Sequence, residues 1–194
     1  MIAQSSGTTG SVKFMPISYK QWFARATDLE RRAVRFPKDG IFCSHYSPLK
    51  STSQSDVQAA ILNGTKVLLH VPKYEEIKNY PNLVLMGSLS QFEFMIKDIE
   101  VPNEPANASI NLNGSAVSAN QIDRFLQYFK SVWVEYGATE TTKTAMKEIT
   151  EPGTYNGSVG YILPGTEFKI TEEKELLLKT PGMIRSEEHT SELQ

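Results

Sequence analysis

The chain has 194 residues, 40% hydrophobic and 22% charged, with a formal net charge of −2. This is the make-up of an ordinary globular domain, with no basic field for nucleic acid and no apolar run of membrane-spanning length. The single cysteine, Cys43, excludes an internal disulfide framework. With no signal-peptide pattern at the start, it favours a reducing, cytoplasmic setting.

In chain order, Met1-Ile2-Ala3-Gln4 reads as the remnant of a strand feeding a loop, Ser5-Ser6-Gly7-Thr8-Thr9-Gly10-Ser11-Val12-Lys13. Glycines let that loop's backbone approach a ligand, successive N–H groups form an anion nest, and the hydroxyls and Lys13 add donors and charge. The set suits a polyphosphate, although the Gly-to-Lys spacing is not of the Walker type. Composition alone leaves a flexible Ser/Gly linker open. Next, Ser18 and Gln21 match a capping box, opening a helix through Trp22, Phe23, Ala26, Leu29, Ala33 and Val34 interleaved with Arg25, Arg31, Arg32 and Arg35, and ending before Pro37.

Residues 41–46 read as a short buried strand, 47–55 as a polar loop, 56–62 as a helix stopped at Asn63-Gly64, and 65–71 as a strand. A helix opened by Pro72, a strand over 83–86, a helix over 89–99 and a strand over 109–112 follow. A helix capped by Ser118 and Gln121 runs to Phe129, and a strand spans 132–136. Trp133, Phe92, Phe94 and Phe125 are expected in the core. Alternating strands and helices predict an α/β fold with a mixed, largely parallel βαβ sheet. From Tyr155 the pattern changes to strands over 158–161, 167–170 and 176–178, the last two joined by a hairpin loop, as the start of a small β subdomain. The division expected is 1–154 for the α/β domain, 155–184 for the β subdomain and 185–194 as a tail. That tail resembles the conceptual translation of a sequencing-library adapter and is set aside as an artefact.

Two further loops follow predicted strands, where open α/β sheets bind ligands. Asn113-Gly114-Ser115-Ala116 follows the strand ending at Leu112, and on its own is an everyday strand-to-helix turn. Tyr136-Gly137-Ala138-Thr139-Glu140-Thr141-Thr142 follows the strand through Val134. There an aromatic beside a Gly can stack on a purine, Thr139 offers a hydroxyl, and Glu140 is a hard oxygen ligand suited to Mg²⁺. Read alone, Glu140 is more often a solvated loop carboxylate. No His/Cys set has zinc spacing, and Gly-x-Ser-x-Gly is absent.

The loop over Ser5–Lys13 resembles the phosphate-binding loop of the adenylate-forming enzymes (acyl-CoA synthetases, peptide-synthetase adenylation domains, luciferases), with Val12 and Phe14 where Pro and Gly are usual. Tyr136-Gly137-Ala138-Thr139-Glu140 resembles the family's Tyr-Gly-x-Thr-Glu motif without mismatch. Residues 113–118, 157–170 and 176–182 resemble intervening and following segments in the same order. The resemblance implies ATP-dependent adenylation of a small carboxylic acid. Ser5, Ser6, Gly7, Thr8, Thr9, Gly10 and Lys13 would sit on the phosphates, with Gly114, Ser115, Ala116, Tyr136 and Gly137 around the adenine. Thr139 would meet the α-phosphate, Glu140 would hold Mg²⁺, and Lys13, Thr139 and Glu140 would be the catalytic set. It also implies CoA or a carrier-protein thiol as acceptor, no nucleic-acid partner, and His45 as a pocket residue. The family's ribose-binding Asp and small C-terminal domain with its catalytic Lys would follow residue 184, so the chain is read as truncated and inactive alone. A non-catalytic nucleotide-binding relative and an interaction domain with a Gly/Ser/Thr linker stay open as alternatives.

Overall fold

The computed structural model describes residues 2–5, 13–27 and 36–184. In chain order these form β1 (Ile2–Ser5), β2 (Lys13–Pro16), α1 (Tyr19–Thr27), β3 (Ile41–Ser44), α2 (Ser51–Leu62), β4 (Lys66–Leu68) and, after a 3₁₀ helix over Tyr74–Asn79, β5 (Leu83–Gly87). Then come α3 (Leu89–Met95), β6 (Ala106–Leu112), α4 (Ala119–Leu126), β7 (Phe129–Ala138), β8 (Thr142–Ile149), β9 (Tyr161–Ile162), β10 (Glu167–Ile170) and β11 (Leu176–Lys179). The expected tail, the second half of the first helix and Ser6–Val12 lie outside the described residues.

The centre is a seven-stranded sheet in the order β4-β3-β5-β6-β7-β8-β9. Pairings are parallel from β4 through β7, and antiparallel where β8 and β9 add to its edge. This is the expected α/β sheet, largely parallel and mixed at one side. Strand β5 shows why it folds so: every residue from Leu83 to Gly87 is buried, as a strand covered on both faces must be. Leu83 and Leu85 join a core with Phe92, Ile110, Ile122, Phe125 and Phe129. Val84 and Met86 join a second core with Phe36, Phe42, Ala59 and Ala60. Helices α3 and α4 cover one face and α2 the other.

Both capping boxes expected from sequence form. Gln21 N–H donates to Ser18 Oγ at 3.2 Å and Ser18 N–H to Gln21 Oε1 at 2.9 Å. Ser118 N–H likewise donates to Gln121 Oε1 at 2.9 Å. The β10–β11 hairpin forms around the 171–175 loop as expected, as a separate two-stranded sheet.

Several expectations are corrected. Helix α2 begins at Ser51, not at Asp56. Its polar first turns resemble a loop by composition but find partners in the fold, among them Ser44 Oγ, 3.1 Å from Ser53 Oγ. Helix α3 ends at Met95 rather than Ile99, because i→i−3 bonds from Lys97 to Phe94 and from Ile99 to Ile96 tighten the chain. Phe94 is 78% exposed, not core. It lies two positions past buried Phe92, on the helix's other side; Phe92, Phe125 and Trp133 are buried as expected. The helix after Pro72 is 3₁₀ and starts at Tyr74. The strand expected over 158–161 is reduced to Tyr161–Ile162, which pairs with β8 in the central sheet. Strands β2 and β8, absent from the sequence reading, are present: Ser5 pairs with Lys13 across β1 and β2, and Tyr136-Gly137-Ala138-Thr139-Glu140, expected as a loop after a strand, carries β7 on through Ala138 and then turns into β8.

Candidate functional site

The parallel strands β6 and β7 point their carboxyl ends the same way, where a doubly wound sheet binds ligands. Two of the expected segments begin there. A cavity of ≈ 210 Å³ is lined by Gly114 after β6, by Tyr136, Gly137, Ala138 and Thr139 from β7 and its turn, and by Arg25, Thr52, Ser55, Asn113, Glu135, Thr142 and Lys143. Residues from positions 25 to 143 thus meet around one space.

The β7–β8 turn is built by close backbone approach. The register shifts between Tyr136 and Gly137, and a Cβ on Gly137 would come within 2.1 Å of Thr142 O and 2.9 Å of Lys143 Cα. Only glycine fits there. Thr142 itself takes φ 63°, a strained value for a β-branched residue. Tyr136 stays 43% exposed beside the cavity, available to stack on a planar ring.

A guanidinium holds this turn. Arg25 on α1 is 5% exposed. Its Nη2 donates to Thr139 O at 3.0 Å and Glu140 O at 2.9 Å, and its Nε donates to Gly182 O at 2.8 Å. Ile184 N–H donates to Glu140 O at 2.9 Å, and Thr180 Oγ1 donates to Thr141 O at 2.6 Å. Gly182, at φ +72°, approaches Arg25 so closely that a Cβ would lie 2.9 Å from Arg25 Cγ. The Thr-Glu turn is therefore strapped between α1 and residues 180–184, with bonds from a charged donor that are stronger than neutral ones.

Beneath the cavity lies a buried ionic cluster. Lys143 Nζ sits 2.9 Å from both Asp56 carboxylate oxygens and 3.4 Å from Glu135 Oε2. Asn111 Nδ2 donates to Glu135 Oε1 at 2.9 Å. The carboxylates are almost wholly buried, Asp56 at 0% and Glu135 at 1% side-chain exposure. Burial, followed by the charges of Glu135 and Asp56, pushes the nearby Tyr46 hydroxyl up to about 12. That phenol donates to Asn113 Oδ1 at 2.5 Å, fixing the loop that carries Gly114.

The remaining expected residues fall as follows. Ser115 and Ala116 are exposed and do not line the cavity, and Glu140, half-buried, is not among its lining either. Ser5 ends β1 and Lys13 begins β2, and the two pair across these strands. Ser6, Gly7, Thr8, Thr9 and Gly10 lie outside the described residues. His45 follows β3 but is not among the cavity's lining. Its ring packs on Phe92 with centroids 5.0 Å apart, its carbonyl accepts from Gln91 Nε2 at 2.9 Å, and burial lowers its pKa to about 4. Among the described residues no group of three or more His, Cys, Asp or Glu side chains could hold a metal ion by itself.

Arg25, Thr52, Ser55, Glu135 and Lys143 were not singled out as site residues from the sequence. Arg25 carried a signal: it stands three residues after Trp22 and so shares the helix face that turns inward. Lys143 and Asp56 carried none, being distant in sequence.

No helix among the described residues is long and apolar enough to cross a membrane. A search of curated proteins returns no match. Among solved structures, the chain is similar to O-succinylbenzoate Coenzyme A Synthetase (MenE) from Bacillus subtilis in complex with AMP, with TM-score 0.76 and 16% identity, over 95% of this chain and 41% of that one. It is similar to ATP-bound MatB from Rhodopseudomonas palustris, with TM-score 0.69 and 18% identity, over 95% and 40%. The Klebsiella oxytoca NpsA N-terminal subdomain in complex with anthranilyl-AMSN matches with TM-score 0.72 and 18% identity, over 94% and 51%. The chain thus spans about half the length of these structures or less. These likenesses give the fold. The model of the AMP-binding enzyme family matches residues 1–185, and the chain belongs to that family.

Proposed function

We propose that this chain carries the nucleotide-binding part of an ATP-dependent carboxylate-adenylating ligase. In that reaction a carboxylate oxygen bonds to the α-phosphorus of ATP, the bond to the β-phosphate oxygen breaks, and acyl-AMP and pyrophosphate result. A thiol of CoA or of a carrier protein would then take the acyl group and release AMP. The observation carrying this reading is the convergence of Gly114, Tyr136, Gly137 and Thr139 on one cavity at the carboxyl ends of β6 and β7.

In this proposal Tyr136 stacks on the adenine, with Gly114–Ala116 along its edge. Thr139 donates to an α-phosphate oxygen. Ser5, Ser6, Gly7, Thr8, Thr9, Gly10 and Lys13 hold the β- and γ-phosphates. Glu140 would hold Mg²⁺, which supplies neutralisation of phosphate charge. Catalysis is then positioning plus charge stabilisation by groups fixed beforehand. The Arg25 clamp supports that role, since it immobilises the backbone of Thr139 and Glu140 before any ligand arrives. A cytoplasmic setting belongs to the same proposal, supported by the one cysteine, a buried free thiol.

Because the chain spans 40% to 51% of those structures, binding is the readout suited to it, and no pyrophosphate exchange is expected from it alone. In an ATP titration followed by calorimetry, Glu140→Gln abolishes the gain in affinity that Mg²⁺ confers and leaves the Mg²⁺-free affinity in place. A Glu140→Gln chain that still binds ATP more tightly with Mg²⁺ removes Glu140 from the metal's role.

A further inference from the structure

The cavity beside the Tyr-Gly-x-Thr-Glu turn is continuous with the start of α2, and the material there is unusual for a helix packed on a sheet. The inward positions of its first half are Ser53, Ser55 and Asp56, all buried, while its apolar Ile61 and Leu62 are exposed. Of these turns, Thr52 and Ser55 line the cavity with Lys143, and no Leu, Ile, Val, Met or Phe side chain is among its lining. Asp56 grips Lys143 at 2.9 Å through both oxygens, so the ammonium is fixed in place. Ser55 Oγ donates to Thr52 O at 3.0 Å, which leaves its oxygen with acceptor capacity.

We propose that the acid accepted at this site carries a second hydrogen-bonding group such as a hydroxyl, held by Thr52 and Ser55, and that plain alkyl acids are discriminated against. The inference rests on the adenylation reading above. Its physical basis is the asymmetry of hydrogen bonding: a hydroxyl replaces the water it displaces, whereas a methyl desolvates these groups and gives nothing back. A site built around a substrate hydroxyl rejects the analogue lacking it far more strongly than an apolar slot rejects an added one.

The test uses the 194-residue chain and non-hydrolysable acyl-adenylate mimics, the N-acyl derivatives of adenosine 5′-sulfamate. Two matched pairs differ only by CH₃ against OH at the tail: butanoyl against 3-hydroxypropanoyl, and hexanoyl against 5-hydroxypentanoyl. The hydroxyl member of at least one pair is expected to bind about tenfold more tightly, and Thr52→Val or Ser55→Ala to cut that ratio to within about twofold. Both variants are near-isosteric, so they spare the fold where Lys143→Met would leave Asp56 buried without its cation. Equal or tighter binding of the alkyl member in both pairs overturns the inference, as does a preference untouched by either variant. If adenosine 5′-sulfamate itself fails to bind, the adenylation reading falls, and this inference with it.

Discussion

Helices α4 and α2 pack on opposite faces of the same seven-stranded sheet. The inner face of α4 is Ile122, Phe125 and Leu126, and its N-terminus is closed by the Ser118–Gln121 box. The inner face of α2 is Ser53, Ser55, Asp56, Ala59 and Ala60, and no side chain caps its start. One helix is held by apolar burial and a local cap; the other, in its first half, by hydrogen bonds and an ion pair to residues far along the chain. The polar helix is the one that reaches the cavity. A helix surrendering apolar burial on its inner face does so here where the sheet meets its candidate ligand, which is where local rules are expected to break.

The comparison can be broken most forcefully by a matched pair of truncations. Phe125→Ala in the α4 core is expected to cost about 3–5 kcal/mol, measured by urea denaturation, from lost transfer energy and the cavity left behind. Lys143→Met is expected to cost a similar amount, about 3–5 kcal/mol, for the different reason that Asp56 stays buried without that partner. The triple variant Asp56→Leu/Lys143→Met/Glu135→Gln separates the two causes, since Glu135 also faces the Lys143 ammonium. It should recover most of the loss, because a buried ionic cluster replaced by neutral side chains is often neutral in stability, whereas no second substitution of Leu126 would rescue Phe125→Ala. Failure of the triple variant to recover would show that the ionic cluster is integral to the fold rather than to the site.

A smaller effect sharpens the same contrast from beside α3. Burial lowers the His45 imidazole from 6.5 to about 4. Between those values the unfolded chain holds a proton that the folded chain does not, so stability falls as pH drops from about 6.5 toward 4, by up to about 3 kcal/mol. Below about pH 4 the contribution is flat. Denaturation midpoints across this range for the parent and His45→Phe should diverge in slope, with the variant shallower; parallel slopes would mean that His45 is solvated.

Much of the frame was legible because its signals are local. The run Leu83-Val84-Leu85-Met86, the spacing of Ile122, Phe125 and Leu126, and the Ser18–Gln21 and Ser118–Gln121 pairs each identify an element from a handful of neighbouring residues. The Asn113–Ala116 segment was legible as a loop after a strand and Gly137 as a close approach of the chain, although β7 runs on through Ala138 and only residues 139–141 form the turn. What could not be read was what depends on distant partners. The first turn of α2, residues 51–55, looked like a loop because its serines find partners such as Ser44, which local composition cannot reveal. Strand β8 was missed because its run mixes Lys143, Lys147 and Glu148 with Ala145, Met146 and Ile149, and its pairing with β7 is not visible in local composition. The Arg25 clamp was missed because its acceptors are backbone carbonyls, which every sequence has everywhere.

The central claim is that a nucleotide sits between the loop after β6 and the β7–β8 turn, with that turn held ready by Arg25. Amide hydrogen exchange of the chain, with and without saturating ATP and Mg²⁺, addresses both parts in one experiment. The account predicts ligand protection concentrated at residues 5–13, 113–116 and 136–143. It also predicts that Arg25→Met speeds exchange at 139–142 without ligand, while β5 and α4 amides keep their rates. Protection elsewhere on the sheet, or a 139–142 turn equally protected without Arg25, would contradict it.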